Sequence, residues 1–228
     1  MKPSTIAIDG PAASGKSTIG YHLSRYLAYL YLDTGVLYRA VTWAALDREI
    51  PIADESAITN LAEELLINVK PPTETDGRQY TVRVEDRDVT WAIRTPEVDA
   101  AVSPVSAYPG VREALTRRMR EIAALGRVVM VGRDIGTVVI PDADMKLYVI
   151  ASAEERAHRR QLEMRTKGKP QEFEDVLTSL RRRDKIDSNR KAAPLKAAPD
   201  AIIFDNTDLT IEEMLKRVER LVDGRDPA

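Results

Sequence analysis

Residues Gly10-Pro11-Ala12-Ala13-Ser14-Gly15-Lys16-Ser17 carry the spacing G-x-x-x-x-G-K-[ST], a pattern suited to holding a polyphosphate. The glycines let the backbone curl until successive N–H groups face anionic oxygens. The helix that must follow adds the positive end of its dipole. Lys16 has the reach to neutralise β- and γ-phosphates, and the Ser17 hydroxyl, with Thr18 next to it, can ligate Mg²⁺. The pattern also stands where this chemistry needs it. The apolar run Thr5-Ile6-Ala7-Ile8 precedes it as a buried strand, and a helical pattern runs from about Lys16 to Ala28. Cradling phosphate does not name a reaction, because switches, motors, transporters and small-molecule kinases share the device. No N-K-x-D guanine-reading motif is present, and a length of 228 residues favours a compact kinase.

A phosphoryl-transfer enzyme must hold two anionic reactants in line. Arginine suits that task, because its planar fork grips phosphate oxygens in pairs and stays charged. Arg39 follows Asp33-Thr34-Gly35, and Arg133 lies in the polar break Gly132-Arg133-Asp134-Ile135-Gly136-Thr137. Arg183 and Arg190 flank Asp184-Lys185-Ile186-Asp187-Ser188-Asn189. A parallel sheet places ligands just past its strand ends, where Arg39 and Arg133 fall. Plainer readings compete. Arg39 can be a solvated helix residue, and Arg181-Arg182-Arg183 an ordinary charged helix face. Arg156, Arg159 and Arg160 either close as a lid over a nucleotide or form a solvated face. Arg133 is the strongest of the set, since loops on a rigid scaffold tend to carry chemistry. Ser103 and Asp187 say little by themselves, and His22 and His158 read as plain helix residues.

The composition excludes several classes. Lys and Arg number 34 against 36 Asp and Glu, a net charge of −2, so no long-range positive field draws a nucleic acid. There is no cysteine, which excludes disulfides, thiolate catalysis and cysteine-based metal sites. No continuous apolar run has the length of a membrane helix. Met1-Lys2-Pro3-Ser4 runs straight into a strand pattern without a leader's apolar region. The expectation is a cytoplasmic monomer without nucleic-acid or membrane partners.

The elements needed to position these groups alternate along the chain. Tyr31-Leu32 reads as a short strand, followed by helices from about Val36 to Arg48 and from Glu55 to Ile67. The turn-rich stretch Lys70–Gly77, the alternating Tyr80–Val84 and a partner at Arg87–Thr90 predict a small antiparallel insertion over about 68–90. Helices resume after Pro96 and Pro109. Further buried strands are expected at Arg127–Val131, Met145–Ile150 and Ala201–Phe204. Helices are expected from about Ala153, from about Phe173 and over Ile211–Val222, with a polar loop at Thr166–Gln171. Apolar strands alternating with helices imply an α/β fold with a parallel sheet covered on both faces.

Taken in order, Ile6–Pro11, Gly15–Thr18, Leu32–Gly35 with Tyr38-Arg39, Ile93-Arg94-Thr95, Val111–Leu115, Gly132–Val139, and Arg183-Asp184 with Asn189-Arg190 resemble bacterial cytidylate kinases, P-loop nucleoside monophosphate kinases. The resemblance covers nearly the whole chain; its phosphate loop is generic and its Asp-Thr-Gly and Gly-Arg-Asp-Ile-Gly-Thr blocks are specific. It implies a three-layer P-loop kinase with about five parallel strands, a monophosphate-binding insertion at about 35–105 and a lid at about 155–172. It implies ATP as donor with Mg²⁺, and CMP or dCMP as acceptor. Ser103, Arg112 and Asp134 then read the cytosine, since a carboxylate accepts from its exocyclic amine and would be left unpaired by uracil. Arg39, Arg133 and Arg190 clamp the acceptor phosphate, Thr34 lines that site, and Arg183 and Asp187 meet the ribose. Arg183 also stands near the transferred group, while Arg156 and Arg160 belong to the lid. One position departs from the pattern: Val131 stands where the family usually has an acid before Gly-Arg-Asp, which leaves Asp9 or Asp33 to support the metal. The rivals are a P-loop kinase for another small acceptor and a nucleotide-binding switch with little turnover.

Overall fold

The computed structural model describes residues 2–166, 168, 170–190 and 193–225. Its strands and helices are, in chain order, β1 (Thr5–Asp9), α1 (Lys16–Leu27), β2 (Leu30–Asp33), α2 (Gly35–Asp47), α3 (Glu55–Glu64), β3 (Ile67–Lys70), β4 (Thr81–Val84), β5 (Arg87–Asp88), α4 (Pro96–Val105), α5 (Pro109–Ala124), β6 (Val128–Gly132), β7 (Met145–Ile150), α6 (Ala153–Thr166), α7 (Phe173–Asn189), β8 (Ile202–Asp205) and α8 (Ile211–Val222). The expected parallel sheet of about five strands is present, in the order β2-β6-β1-β7-β8, and a three-stranded sheet runs β3-β4-β5. The chain divides into two compact units, Met1–Tyr29 with Arg127–Ala228, and Leu30–Gly126. Among the described residues no helix is long and apolar enough to cross a membrane.

In the first unit β1 lies between β6 and β7, and β8 follows β7, all parallel. Asp9 pairs in register with Gly132 and with Tyr148, and Ile150 with Asp205. The carboxyl ends of four strands therefore share one edge, and the loops that follow them converge there. β1 and β6 read as apolar runs because they are buried; Ile6, Ile8 and Val129, with Leu147 of β7, are all inaccessible or nearly so. Helix α1 packs against β1, β6 and α8, and α6 packs against α7 through Ala157, Val176, Leu177 and Leu180. α8 starts at a capping box: Thr210 Oγ1 accepts from the Glu213 N–H at 3.2 Å, and the Glu213 carboxylate accepts from the Thr210 N–H at 2.9 Å. His22 is more than a plain helix residue, since its Nε2 lies 2.6 Å from Glu219 Oε1 and ties α1 to α8.

The second unit holds helices α2 to α5 and the small antiparallel sheet. Pro96 and Pro109 each open a helix, where a missing N–H costs nothing. α3 and α5 approach closely at Gly110; a Cβ there would lie 2.3 Å from Thr59 Cγ2. The structure corrects one expectation. The helix read over Glu55–Ile67 ends at Glu64, Leu65 is extended, and Ile67–Lys70 forms β3. Ile67 pairs with Val84 and Lys70 with Thr81. Cross-strand pairing with a later segment overrides the helical continuation that a local pattern suggests. The insertion is fastened by Arg78, whose buried guanidinium donates to Asp76 at 2.7 and 2.8 Å and to Asp88 at 2.6 Å. Asp76 also accepts from the Trp91 indole at 2.7 Å, and the Arg78 hydrogen bonds hold its carboxyl well below the usual range.

Candidate active site

The loop between β1 and α1 is shaped by its glycines. Gly15 has φ +92°, and a Cβ at Gly10 would lie 2.2 Å from the Val149 carbonyl oxygen, so a side chain is barred at both positions. Ala13 is also held in the left-handed region, at φ 59°. The carbonyls of this loop are tied by side chains. Lys16 Nζ donates to Pro11 O at 2.8 Å, Arg156 Nη1 to Ala12 O at 3.2 Å, and Asn206 Nδ2 to Ser14 O at 2.9 Å. A trans peptide points its N–H opposite to its C=O, so tying these carbonyls leaves the next N–H groups facing the other way. A concave set of N–H groups of this kind is an anion nest. The Ser14 hydroxyl is buried and has no hydrogen-bond partner among the described residues.

The arginines of α6 divide. Arg156 is buried; besides Ala12 it donates to Ala151 O at 3.1 Å and to Asp184 at 2.7 Å. Arg159 donates to Glu155 at 2.8 Å and twice to Asn206, at 2.9 Å each. Arg160 is half-buried and pairs with Glu163 at 2.8 Å. Lys167 and Lys169, within the expected lid, lie outside the described residues.

At the end of β6 the chain makes a single π-helical turn, Ile135–Val139, entered through Asp134. Irregular turns of this type recur at functional sites. Arg133 donates its Nε–H to the Asp187 carboxylate. Arg190 Nη2 donates to Ala193 O at 3.0 Å, and its Nε lies 3.4 Å from Asp187 O. Residues 133, 187 and 190, named from separate segments of sequence, thus come together in the first unit. Asp134, next to Arg133 in the chain, is buried, and Arg183 is exposed on α7. Asp9 accepts from Ile135 N–H at 2.7 Å and Gly136 N–H at 2.8 Å. Burial nonetheless pushes its carboxyl up to about 6, against those bonds and the Lys16 charge.

In the second unit Thr34 is buried at the start of α2. Arg39 donates to Ile93 O at 3.0 Å and pairs with Asp99 at 2.6 Å. Arg112 is buried, donates to Ser106 O at 3.2 Å and stands over the Tyr38 ring at 5.6 Å. Ser103 is exposed on α4. Arg94 lies over Tyr80 and donates to its hydroxyl, and burial pushes that phenol up.

Among the described residues no group of three or more carboxylates or histidines could enclose a metal ion. Both Asp9 oxygens accept backbone N–H groups, and Asp33 Oδ1 accepts from Gly35 N–H at 3.1 Å. A set without a carboxylate cage fits a cation that takes most of its ligands from phosphate oxygens. Asn206 was not singled out by the sequence reading. The signal was available: Asp205-Asn206-Thr207-Asp208 is a polar break at a core strand's end, like the one after Gly132.

The comparisons with known proteins agree. The family described as Cytidylate kinase matches residues 6–224. A cytidylate kinase of Chloroflexus aggregans is 49% identical over 221 residues, covering 96% of this chain and 94% of its own. One of Herpetosiphon aurantiacus is 47% identical over 220 residues, covering 96% and 94%. A crystal structure of an uncharacterized protein from Eubacterium ventriosum aligns with TM-score 0.51 at 12% identity, over 97% of this chain and 99% of that one, and bears on the fold alone. A match across almost all of the sequence, with relatives near half identical, places the chain in the cytidylate kinase family.

Proposed function

We propose that the chain transfers the γ-phosphoryl group of ATP to CMP and dCMP, giving CDP or dCDP and ADP, by direct in-line displacement. The family match over residues 6–224 carries this reading, and the phosphate loop with its carbonyls tied back is the chemistry it requires. The loop Gly10–Thr18 binds the donor phosphates. Lys16 offsets charge on the β- and γ-phosphates. Ser17 would hold Mg²⁺ when the donor nucleotide brings it, and the ion would supply further neutralisation of the charge that spreads in the transition state. Arg39, Arg133 and Arg190 hold the acceptor phosphate, already an ionised nucleophile at neutral pH, so no strong general base is needed.

Arg183 acts beside the transferred group and, with Asp187, on the ribose; Thr34 lines the acceptor site. Ser103, Arg112 and Asp134 read cytosine. Arg156 and Arg160 serve the lid at about 155–172, and about 35–105 serves the acceptor monophosphate. Positioning and preorganised charge carry the rate, with no covalent enzyme intermediate. The protein works as a cytoplasmic monomer in pyrimidine nucleotide metabolism.

The test is a coupled ADP-release assay with ATP and Mg²⁺ against CMP, dCMP, UMP, AMP, GMP and dTMP. Fast turnover with CMP and dCMP and little with UMP is expected. Preference for another acceptor would discard the cytosine site and keep the kinase. ATP binding without acceptor-stimulated ADP release would make the chain a nucleotide-binding switch.

A further inference from the structure

Asn206 is completely buried at the end of β8, and every polar atom of its side chain is committed. Nδ2 donates to the Ser14 carbonyl at 2.9 Å, and lies 3.2 Å from Met214 Sδ. Oδ1 accepts from Arg159 Nη1 at 2.9 Å. The second Arg159 fork nitrogen donates to the Asn206 carbonyl at 2.9 Å, and Glu155 fixes the Arg159 Nε–H at 2.8 Å. Asn206's own N–H donates to Ile150 O at 3.1 Å. The residue is thus clamped from α6 and from β7, and it reaches one atom of the phosphate loop.

That atom matters because of peptide geometry. Ser14 C=O and Gly15 N–H belong to one planar unit, so fixing the carbonyl direction fixes the N–H direction, opposite to it. Gly15 N–H is one of the backbone donors that a loop of this type presents to phosphate. The approach is close: a Cβ on Gly15 would stand 2.9 Å from Asn206 Nδ2, so glycine here serves the side chain behind the loop as well as the loop's own φ of +92°. Arg159 does more than hold the amide. A guanidinium on Oδ1 polarises the group and strengthens the hydrogen bond that Nδ2 donates.

We infer that Asn206, clamped by Arg159, is a positioning residue that aims the Gly15 N–H at the donor nucleotide's phosphates, and that Arg159 acts on ATP through Asn206 rather than by contact. This rests on the reading of the loop as the ATP phosphate site.

The experiment compares the wild-type chain with Asn206→Ala, Asn206→Asp and Arg159→Met. It measures KM for ATP and for CMP, kcat, the thermal midpoint, and calorimetric binding of Mg²⁺ with the β,γ-imido analogue of ATP. Asn206→Asp keeps the size and the Arg159 pairing but cannot donate to Ser14 O. At a temperature where the variant is fully folded, analogue affinity is expected to fall at least about tenfold, or ~1.4 kcal/mol. KM for CMP should stay within about twofold, a split that a merely structural role does not produce. Asn206→Ala should weaken the analogue as much, and adding Arg159→Met to it should weaken binding little further, because both act through one bond.

Unchanged analogue affinity in both Asn206 variants, or equal losses for ATP and CMP, would overturn the inference. If neither Asn206 variant folds, Arg159→Met decides: weaker analogue binding with unchanged CMP supports it, and unchanged binding of both overturns it. Should the wild-type chain bind the analogue yet phosphorylate no acceptor, the proposed function fails while the binding comparison still decides this point.

Discussion

Asp9 ends β1 immediately before the phosphate loop, with 4% of its surface exposed. Burial raises its carboxyl from 3.8 to about 6, the nearby Asp134 charge adds to this, and the Ile135 and Gly136 amides and Lys16 oppose it. A raised folded-state value means that the folded chain holds this proton more tightly than the unfolded chain. The stability it contributes is therefore complete below pH 3.8 and lost as pH rises through about 6. A shift of about two units corresponds to ~3 kcal/mol. Above that window the ionised carboxylate carries the desolvation cost and retains two backbone hydrogen bonds in return.

Asp9→Asn removes the titration and leaves one N–H facing an amide donor. Urea unfolding of wild type and Asp9→Asn from pH 4 to 7.5 isolates the effect, because other carboxylates cancel in the difference. The stability advantage of wild type over the variant should shrink by ~2.5 kcal/mol across that range, since at pH 4 the unfolded carboxyl is already partly ionised. A difference constant with pH would refute the argument from burial.

Two further outcomes follow from the proposed function and one from the packing. Arg133→Ala should lower kcat/KM for CMP about 10²-fold or more, the cost of one preorganised charge, and leave Asp187 without its partner; near-wild-type kinetics would remove Arg133 from the acceptor clamp. Asp134→Asn exchanges an acceptor for a donor at the base, so the CMP-to-UMP ratio of kcat/KM should fall at least about tenfold; an unchanged ratio would place base reading elsewhere. Gly110→Ala drives a methyl into Thr59 Cγ2 at 2.3 Å, and denaturant titration should show a loss of ~1–3 kcal/mol from overpacking.

What the sequence made legible was local or repeated. The phosphate loop depends on glycines, a lysine and a hydroxyl at fixed offsets between a strand and a helix, all within a few residues of one another. The buried strands at 128–131 and 145–150 announced themselves as apolar runs. What stayed hidden depends on distant partners. β3 exists because Ile67–Lys70 meets β4, and no local pattern states that pairing. The sequence left Arg156 open between a lid residue and a solvated helix face, and it is buried because Ala12 O and Asp184 lie within reach. Asn206 is an unremarkable residue in a polar loop until parallel pairing of β7 with β8 brings it behind Ser14. The ion pair of Arg133 with Asp187 joins residues 54 apart in sequence.

The most direct measurement of the proposed reaction is product analysis. The full chain is incubated with ATP, Mg²⁺ and CMP, and the nucleotides are separated by anion exchange over time. CDP and ADP should appear together in equal amounts, and neither should accumulate when CMP is omitted. ADP without CDP, or no ADP at all in the presence of CMP, would contradict transfer to the cytidine nucleotide.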